Sequence, residues 1–251
     1  MRRGIISSSV SGAGPFDANT ALLNGSSQYY TSPINTASGD FTTSVLVKIV
    51  HSDNILETMF SEIGPSGQIG TSRYSVRYQS ANNDLFFSAV NDATGLEVLT
   101  VIPIVLTDWI IVTYTYTVGF AKLYINGALV GTHNLTMRNG SQPLYFGLLN
   151  TTNNQWWKGP MAMASLYSRE LSAAEVLELA NLDTGVPVPK CHEDLSAGLK
   201  TGLVASWNLG NTTGTQMPIG DELVDQTGNT NTMVAIGSPT YTDNGLSVEC
   251  T

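Results

Sequence analysis

Apolar and polar positions alternate with a period of two through much of this chain, the repeat of strands with one face buried. Residues 73–78 show it most cleanly: Tyr74, Val76 and Tyr78 alternate with Arg73, Ser75 and Arg77. In residues 41–50, Val45, Val47 and Ile49 share one face and Lys48 lies on the other. Short strands are expected at 21–23 and 28–32 around Asn24-Gly25, at 55–63, in LFFSAV after a turn at 82–84, in LYFGLL, and at 161–167. Residues 96–106 carry Pro103, which has no N–H to give to a ladder, so this strand belongs at an edge or a bulge. Arg73 and Arg77 fall on one strand face and are read as a solvated face.

The longest connected pattern opens with WIIVTYTYTVGFAKLYINGALVGTH. Asn126-Gly127 separates two apolar runs, and both residues tolerate the positive φ of a type I′ turn, so a hairpin is predicted. Its register pairs Ile125 with Ala128 and Leu123 with Val130, all on one face, with Lys122 and Tyr124 on the other. After 161–167 the period changes. Ser172 and Glu175 form a capping box, and Leu171 and Val176 occupy the two positions of a hydrophobic staple. Val176, Leu179 and Ala180 give the predicted helix its apolar side.

The run "W…VTY…KLYINGALV…G…SLYSRELSAAEV" resembles the laminin G-like branch of the concanavalin A-like lectin/glucanase superfamily. ALLNGSSQYYTSP resembles that family's first strand pair, and FTTSVLVKIV its next strand, with Leu46 or Val47 where a Trp is common. The resemblance covers roughly residues 20–182. It implies an all-β, antiparallel, concanavalin A-like (laminin G-like) jelly-roll sandwich with one short helix. GLVASWNL, LVDQTGNTN and GSPTY resemble the family's opening, yet here they lie in residues 202–241, near the C-terminus. The expected organisation is an extended arm over 1–19, a laminin G-like sandwich over 20–185, a linker over 186–201 and strands in 202–251 that complete the same sandwich in permuted order. Leu203, Ala205, Trp207 and Leu209 alternate with Val204, Ser206 and Asn208, an apolar face that needs cover. The competing arrangement has this segment completing a neighbour's sheet.

Composition narrows the function. The chain has 251 residues, a net charge of −9 and 12% charged residues. With no basic run, counterion release from nucleic acid is set aside, and so is attraction to anionic lipid. The longest apolar run, 101–116, is interrupted by Thr107-Asp108 and too short to span a bilayer, so no membrane insertion is expected. Met1-Arg2-Arg3 leads into GIISSSVSGAGP, which lacks a signal-peptide core, so the expectation is synthesis in the cytoplasm without export by that route. Sequons at Asn24, Asn134, Asn139, Asn150 and Asn211 therefore say little. Cys191 and Cys250 are read either as a disulfide or as two free thiols.

Candidate chemistry is sparse. A glycanase of this superfamily needs paired carboxylates alternating on a strand, and no Glu-x-Asp-x-Glu pattern exists. Glu193-Asp194 and Asp221-Glu222 are adjacent, so on a strand they would point apart, and His51, His133 and His192 form no ligand-like pair. An enzyme is not expected. Asp225 and Asn229 offer oxygens to Ca2+, or else form an Asx-type turn. Trp156 and Trp157, with Asn153, Asn154 and Gln155, are the sugar-binding candidates: an aromatic face stacks on a pyranose and amides bond its hydroxyls. The alternative is that one Trp covers the core edge. Trp109 and Trp207 are read as core.

The reading is a non-catalytic, lectin-like recognition module for a glycan or a protein surface, on a phage virion surface as a decoration, fibre or tail component. The alternatives are a purely structural virion protein contacting neighbouring subunits, and a glycan-active enzyme. Homo-oligomers and other virion subunits are among the partners considered.

Overall fold

The computed structural model describes residues 19–36, 39–50, 55–63, 73–106, 108–149, 155–183, 186–187, 192–209, 222–223 and 225–243. The expected arm before residue 19, both cysteines, Asn153 and Asn154 lie outside them. In chain order the strands begin with β1 (Asn19–Asn24), β2 (Tyr29–Thr31), β3 (Phe41–Ile49), β4 (Glu57–Ser61), β5 (Tyr74–Gln79) and β6 (Asp84–Val90). Then come β7 (Glu97–Pro103), β8 (Asp108–Thr117), β9 (Gly119–Ile125), β10 (Ala128–Leu135), β11 (Tyr145–Phe146) and β12 (Lys158–Tyr167). Helix α1 (Ala173–Ala180) precedes β13 (Leu182–Asp183) and β14 (Val186–Pro187), and a 3-10 turn (His192–Asp194) leads to helix α2 (Ala197–Lys200). The chain closes with β15 (Leu203–Asn208), β16 (Glu222–Leu223), β17 (Met233–Ile236) and β18 (Thr240–Asp243).

Two antiparallel sheets make the sandwich. The first runs β10-β9-β8-β3-β12-β1-β18, with β15 also on β12; the second runs β16-β17-β2-β11-β4-β5-β6-β7. Strand β12 organises the first sheet. Its start pairs with β1 (Met161 opposite Ala21) and its end with β15 (Ala164 opposite Trp207). Two strands from opposite ends of the chain thus lie end to end along one side of β12. Strands β17 and β18 extend the two sheets beyond β2 and β1. Trp207 has no exposed surface and meets Phe146 of the second sheet edge-on at 6.1 Å. Strand β7, which ends at Pro103, is the edge of its sheet.

The β9–β10 turn forms as the sequence predicts, with Asn126 at φ 50° and Gly127 at φ 78°. Its register differs. Ala128 faces Ile125, but Gly131 rather than Val130 faces Leu123, because a bulge intervenes between Leu129 and Gly131. A Cβ at Gly131 would stand 2.8 Å from Ile102 Cδ1 and 3.2 Å from Phe87 Cδ1, so the bulge brings a residue without a side chain against the core. Ala128, at the end of the hairpin, is exposed.

The capping box of α1 is complete, and Val176, Leu179 and Ala180 are its buried residues. A second helix, α2, stands where a linker was expected. Ser196 caps it by accepting from Leu199 N at 3.2 Å, and Leu195 and Leu199 pack with Leu171, Val176 and Tyr167 on the outside of the first sheet. Arg169 fastens the two helices: it donates to Glu175 (2.7 and 3.0 Å), to Gly198 O (2.7 Å) and to Thr201 O (2.7 Å). The two helices cover the part of this outer face around Tyr124, Tyr167 and Leu203, and Leu46, Trp109 and Ala162 form a separate buried cluster. No helix among the described residues is long and apolar enough to cross a membrane.

Arg73 and Arg77 are not a solvated face; they are 1% and 8% exposed. Arg73 lies over the rings of Phe41 (4.5 Å) and Tyr116 (5.4 Å), and Arg77 pairs with Glu97 at 3.0 Å. Alternation separates strand faces but does not say which outward face acquires a cover.

Candidate functional site

Neighbouring residues on a strand point to opposite faces, so an aromatic doublet must send one ring inward and one outward. The sequence has four such doublets: Tyr29-Tyr30, Phe86-Phe87, Tyr145-Phe146 and Trp156-Trp157. Tyr30, Phe87, Phe146 and Trp157 enter the core. Three of the outward rings meet on the far side of the second sheet. Tyr29 stands 6.0 Å from Tyr145 and 5.7 Å from Trp156, both tilted, with Leu148 in the same cluster.

Strand pairing builds this cluster. Strand β11 lies between β2 and β4, which sets Tyr145 opposite Thr31 on one side and Ser61 on the other. The same row continues through Ser75 and Ser88. Ser61 donates to Leu148 O at 2.7 Å, and the hydroxyls of Ser75 and Ser88 share a bond at 2.8 Å. Small hydroxyl residues therefore border the rings on the β4 side. On the β17 side, half-buried Ile236 pairs with Tyr29. Burial raises the pKa of both phenols, with Tyr29 adding to the effect at Tyr145, so each hydroxyl remains protonated and can both donate and accept.

The expected binding pair is split. Trp156 joins the outward cluster and is 7% exposed, whereas Trp157 has no exposed surface and offers no face to a sugar. That corrects Trp157 from ligand contact to core. Gln155 is half-buried, and its carbonyl accepts from Leu149 N at 3.1 Å. Tyr29 and Tyr145 were missed as candidates. The doublets were the available signal, because each one forces an aromatic residue out of the core.

Asp225 and Asn229 take the other form weighed for them, a turn. Asp225 Oδ1 accepts from Thr227 N at 3.0 Å and Ser206 N at 3.1 Å, and Oδ2 accepts from Asn231 N at 3.3 Å. Asn229 turns its amide to Val204 O at 3.0 Å. These donors point N–H groups at the carboxylate where a cation would sit. Among the described residues, no group of three His, Cys, Asp or Glu could hold a metal ion.

The buried carboxyl groups do not form an acid–base pair. Glu57 opens β4 and Glu62 follows its last residue, about 16 Å apart at strand rise, beyond the spacing either glycosidase mechanism uses. Glu57 accepts from Lys158 N at 3.2 Å. Glu62 accepts from the Thr36 hydroxyl and from Thr36 N (3.2 Å), and the Thr36 hydroxyl in turn accepts from Arg73. Burial pushes the Glu62 carboxyl up to about 7, against the opposing pull of Thr36 and Arg73.

A laminin G family model, of the Concanavalin A-like lectin/glucanases superfamily, matches residues 24–177. No curated protein matches the sequence. A Bacteroides ovatus protein described as carbohydrate-binding superposes with a TM-score of 0.60 at 15% identity, over 92% of this chain and 61% of that one. This chain thus spans about three-fifths of that relative's length. A heptameric SAP-like pentraxin from Limulus polyphemus gives 0.51 at 15% identity, over 67% and 84%. The CBM40 of the Ruminococcus gnavus IT-sialidase gives 0.50 at 14% identity, over 66% and 98%. These likenesses are of fold.

Proposed function

The chain belongs to the Concanavalin A-like lectin/glucanases superfamily, and on that premise we propose that it is a non-catalytic recognition module that binds glycan on the outer face of its second sheet. The observation that carries this reading is the Tyr29–Tyr145–Trp156 cluster. Its rings supply apolar area and the phenol hydroxyls supply polar tips, the pairing that a sugar ring with its hydroxyls requires. Tyr29 is half-buried and Tyr145 and Trp156 are 6% and 7% exposed, so a sugar would meet this cluster at its rim, led by Tyr29. Two of the similar structures add support: one is described as carbohydrate-binding, and the sialidase module is also known bound to α2,3-sialyllactose. The separated carboxyl groups favour binding over hydrolysis. Placement on a virion surface is an analogy from the low charge, the expected synthesis without export and the family resemblance, and mass spectrometry of purified particles tests it.

A glycan array probed with the wild type and with Tyr29→Ala and Tyr145→Ala tests the reading. Retention of defined glycans by the wild type and its loss in both variants is expected. An array on which the wild type retains nothing would favour a purely structural role.

A further inference from the structure

Among the described residues three asparagines precede a glycine: Asn24, Asn126 and Asn139. Such a step is prone to intramolecular attack, because glycine puts no side chain between its backbone nitrogen and the preceding amide carbon. The attack needs a mobile Asn side chain and an unengaged glycine N–H that can reach a near-attack geometry. The fold treats the three sites differently.

Asn24 is held in a turn. Its Oδ1 accepts from Ser26 N at 2.9 Å and Ser27 N at 3.0 Å, and its Nδ2 donates to Ser27 Oγ at 3.0 Å. Asn126 is held against β8: its Oδ1 accepts from Ile111 N at 2.9 Å and its own N–H donates to Ile111 O at 2.9 Å. Asn139 is exposed and lies outside helix and strand. The segment is anchored before it, where Arg138 N donates to Val90 O at 3.0 Å, and after it, where Leu144 N donates to Ile34 O at 3.2 Å. Between those anchors, neither the Asn139 side chain nor the Gly140 N–H makes a hydrogen bond to a described residue.

We propose that Asn139 is a site of spontaneous covalent modification, converting from amide to acid through a cyclic imide with Gly140. The Gly140 nitrogen attacks Asn139 Cγ and gives up its proton to solvent. The Cγ–Nδ2 bond breaks and ammonia leaves, closing a five-membered succinimide. Water then opens the imide at one of its two carbonyls, giving aspartate or a β-linked isoaspartate. No oxidant or reductant is involved.

The position also gives the change a structural consequence. Gly140 packs so closely on the Glu62 carboxyl that an added Cβ would overlap Glu62 Oε1, an oxygen that is buried without a hydrogen-bond partner. An isoaspartyl link inserts a backbone carbon beside this contact, and either product adds a negative charge next to it.

The test is peptide mass mapping of the whole chain, held folded in mildly alkaline buffer and, in parallel, unfolded in denaturant. In the folded chain the Asn139 peptide is expected to convert about tenfold faster than the Asn24 and Asn126 peptides. In denaturant the three rates converge, because the hydrogen bonds that separate them are gone. Equal rates in the folded chain, or a faster rate at Asn24 or Asn126, would overturn the proposal. So would an unchanged Asn139 in the folded chain alongside conversion in denaturant.

Discussion

Gly127 lies against Leu177: a Cβ built on the turn residue would stand 2.8 Å from Leu177 Cδ1 and 3.0 Å from Leu177 Cα. The tip of the β9–β10 hairpin is therefore seated on helix α1. The two most recognisable stretches of the sequence, the Asn-Gly hairpin and the capped helix, are halves of one contact. Gly127 satisfies two demands there, the left-handed φ of 78° and the close approach.

Gly127→Ala is accordingly expected to destabilise the fold by about 1–3 kcal/mol, from turn strain and overpacking together. Urea denaturation measures it. Truncating Leu177 in the same chain relieves only the side-chain part of the clash, so the double variant stays less stable than Leu177→Ala alone.

Arg169→Ala removes five charge-assisted hydrogen bonds, two to Glu175 and one each to the Glu170, Gly198 and Thr201 carbonyls. A loss of about 1.5–3 kcal/mol is expected, and Arg169→Lys rescues little of it because the ammonium lacks the planar fork. The Arg169 hydrogen bonds hold Glu175 down at about 2, below its ordinary 4.5. That contribution is present above pH 4.5 and is lost as pH falls through about 2. Acid titration of the Glu175 carboxyl by NMR, in wild type and variant, checks both values.

Glu62 has the opposite sign. Burial raises its pKa from 4.5 to about 7, so the folded protein holds a proton that the unfolded chain releases. Its stabilising contribution is full below pH 4.5 and is lost as pH rises through about 7. His133, stacked on Phe87 at 4.0 Å and lowered to about 4 by burial, destabilises the fold as pH falls from 6.5 to 4, so the wild-type profile mixes the two. Glu62→Gln isolates the acid. Relative to wild type, the variant's melting temperature is expected to be higher at pH 8 than at pH 5.

Trp207→Ala should cost about 3–5 kcal/mol, because it empties a fully enclosed ring site and frees the Asn231 carbonyl that Trp207 Nε1 bonds at 2.7 Å. Since Trp207 packs in the shared core, unfolding should remain one cooperative transition. Two calorimetric transitions would mean that residues 203–243 fold as a unit of their own.

What the sequence revealed was local. The type I′ turn, the capping box and the staple each need only a few consecutive residues, and each formed. The bulge beside Gly131 depends on Phe87 and Ile102 of other strands, and nothing near Gly131 announces it. Arg73 and Arg77 alternate as an exposed face would, yet they are buried by partners distant in sequence. The site was half legible for the same reason. Each aromatic doublet guarantees one outward ring, but Tyr29 and Trp156 meet only because β11 lies between β2 and β4. Adjacency in sequence suggested Trp156 with Trp157, and strand geometry parts that pair.

The most direct test of the binding face is a calorimetric titration of wild type and Tyr145→Ala with the best glycan from the array. Loss of one ring at the centre of the cluster should weaken binding by about tenfold or more, a difference of roughly 1.4 kcal/mol; Tyr145 is 6% exposed, so its truncation also lowers the melting temperature, and the titration is run well below it. Equal affinities for the two proteins would contradict the assignment of the glycan site to the Tyr29–Tyr145–Trp156 cluster.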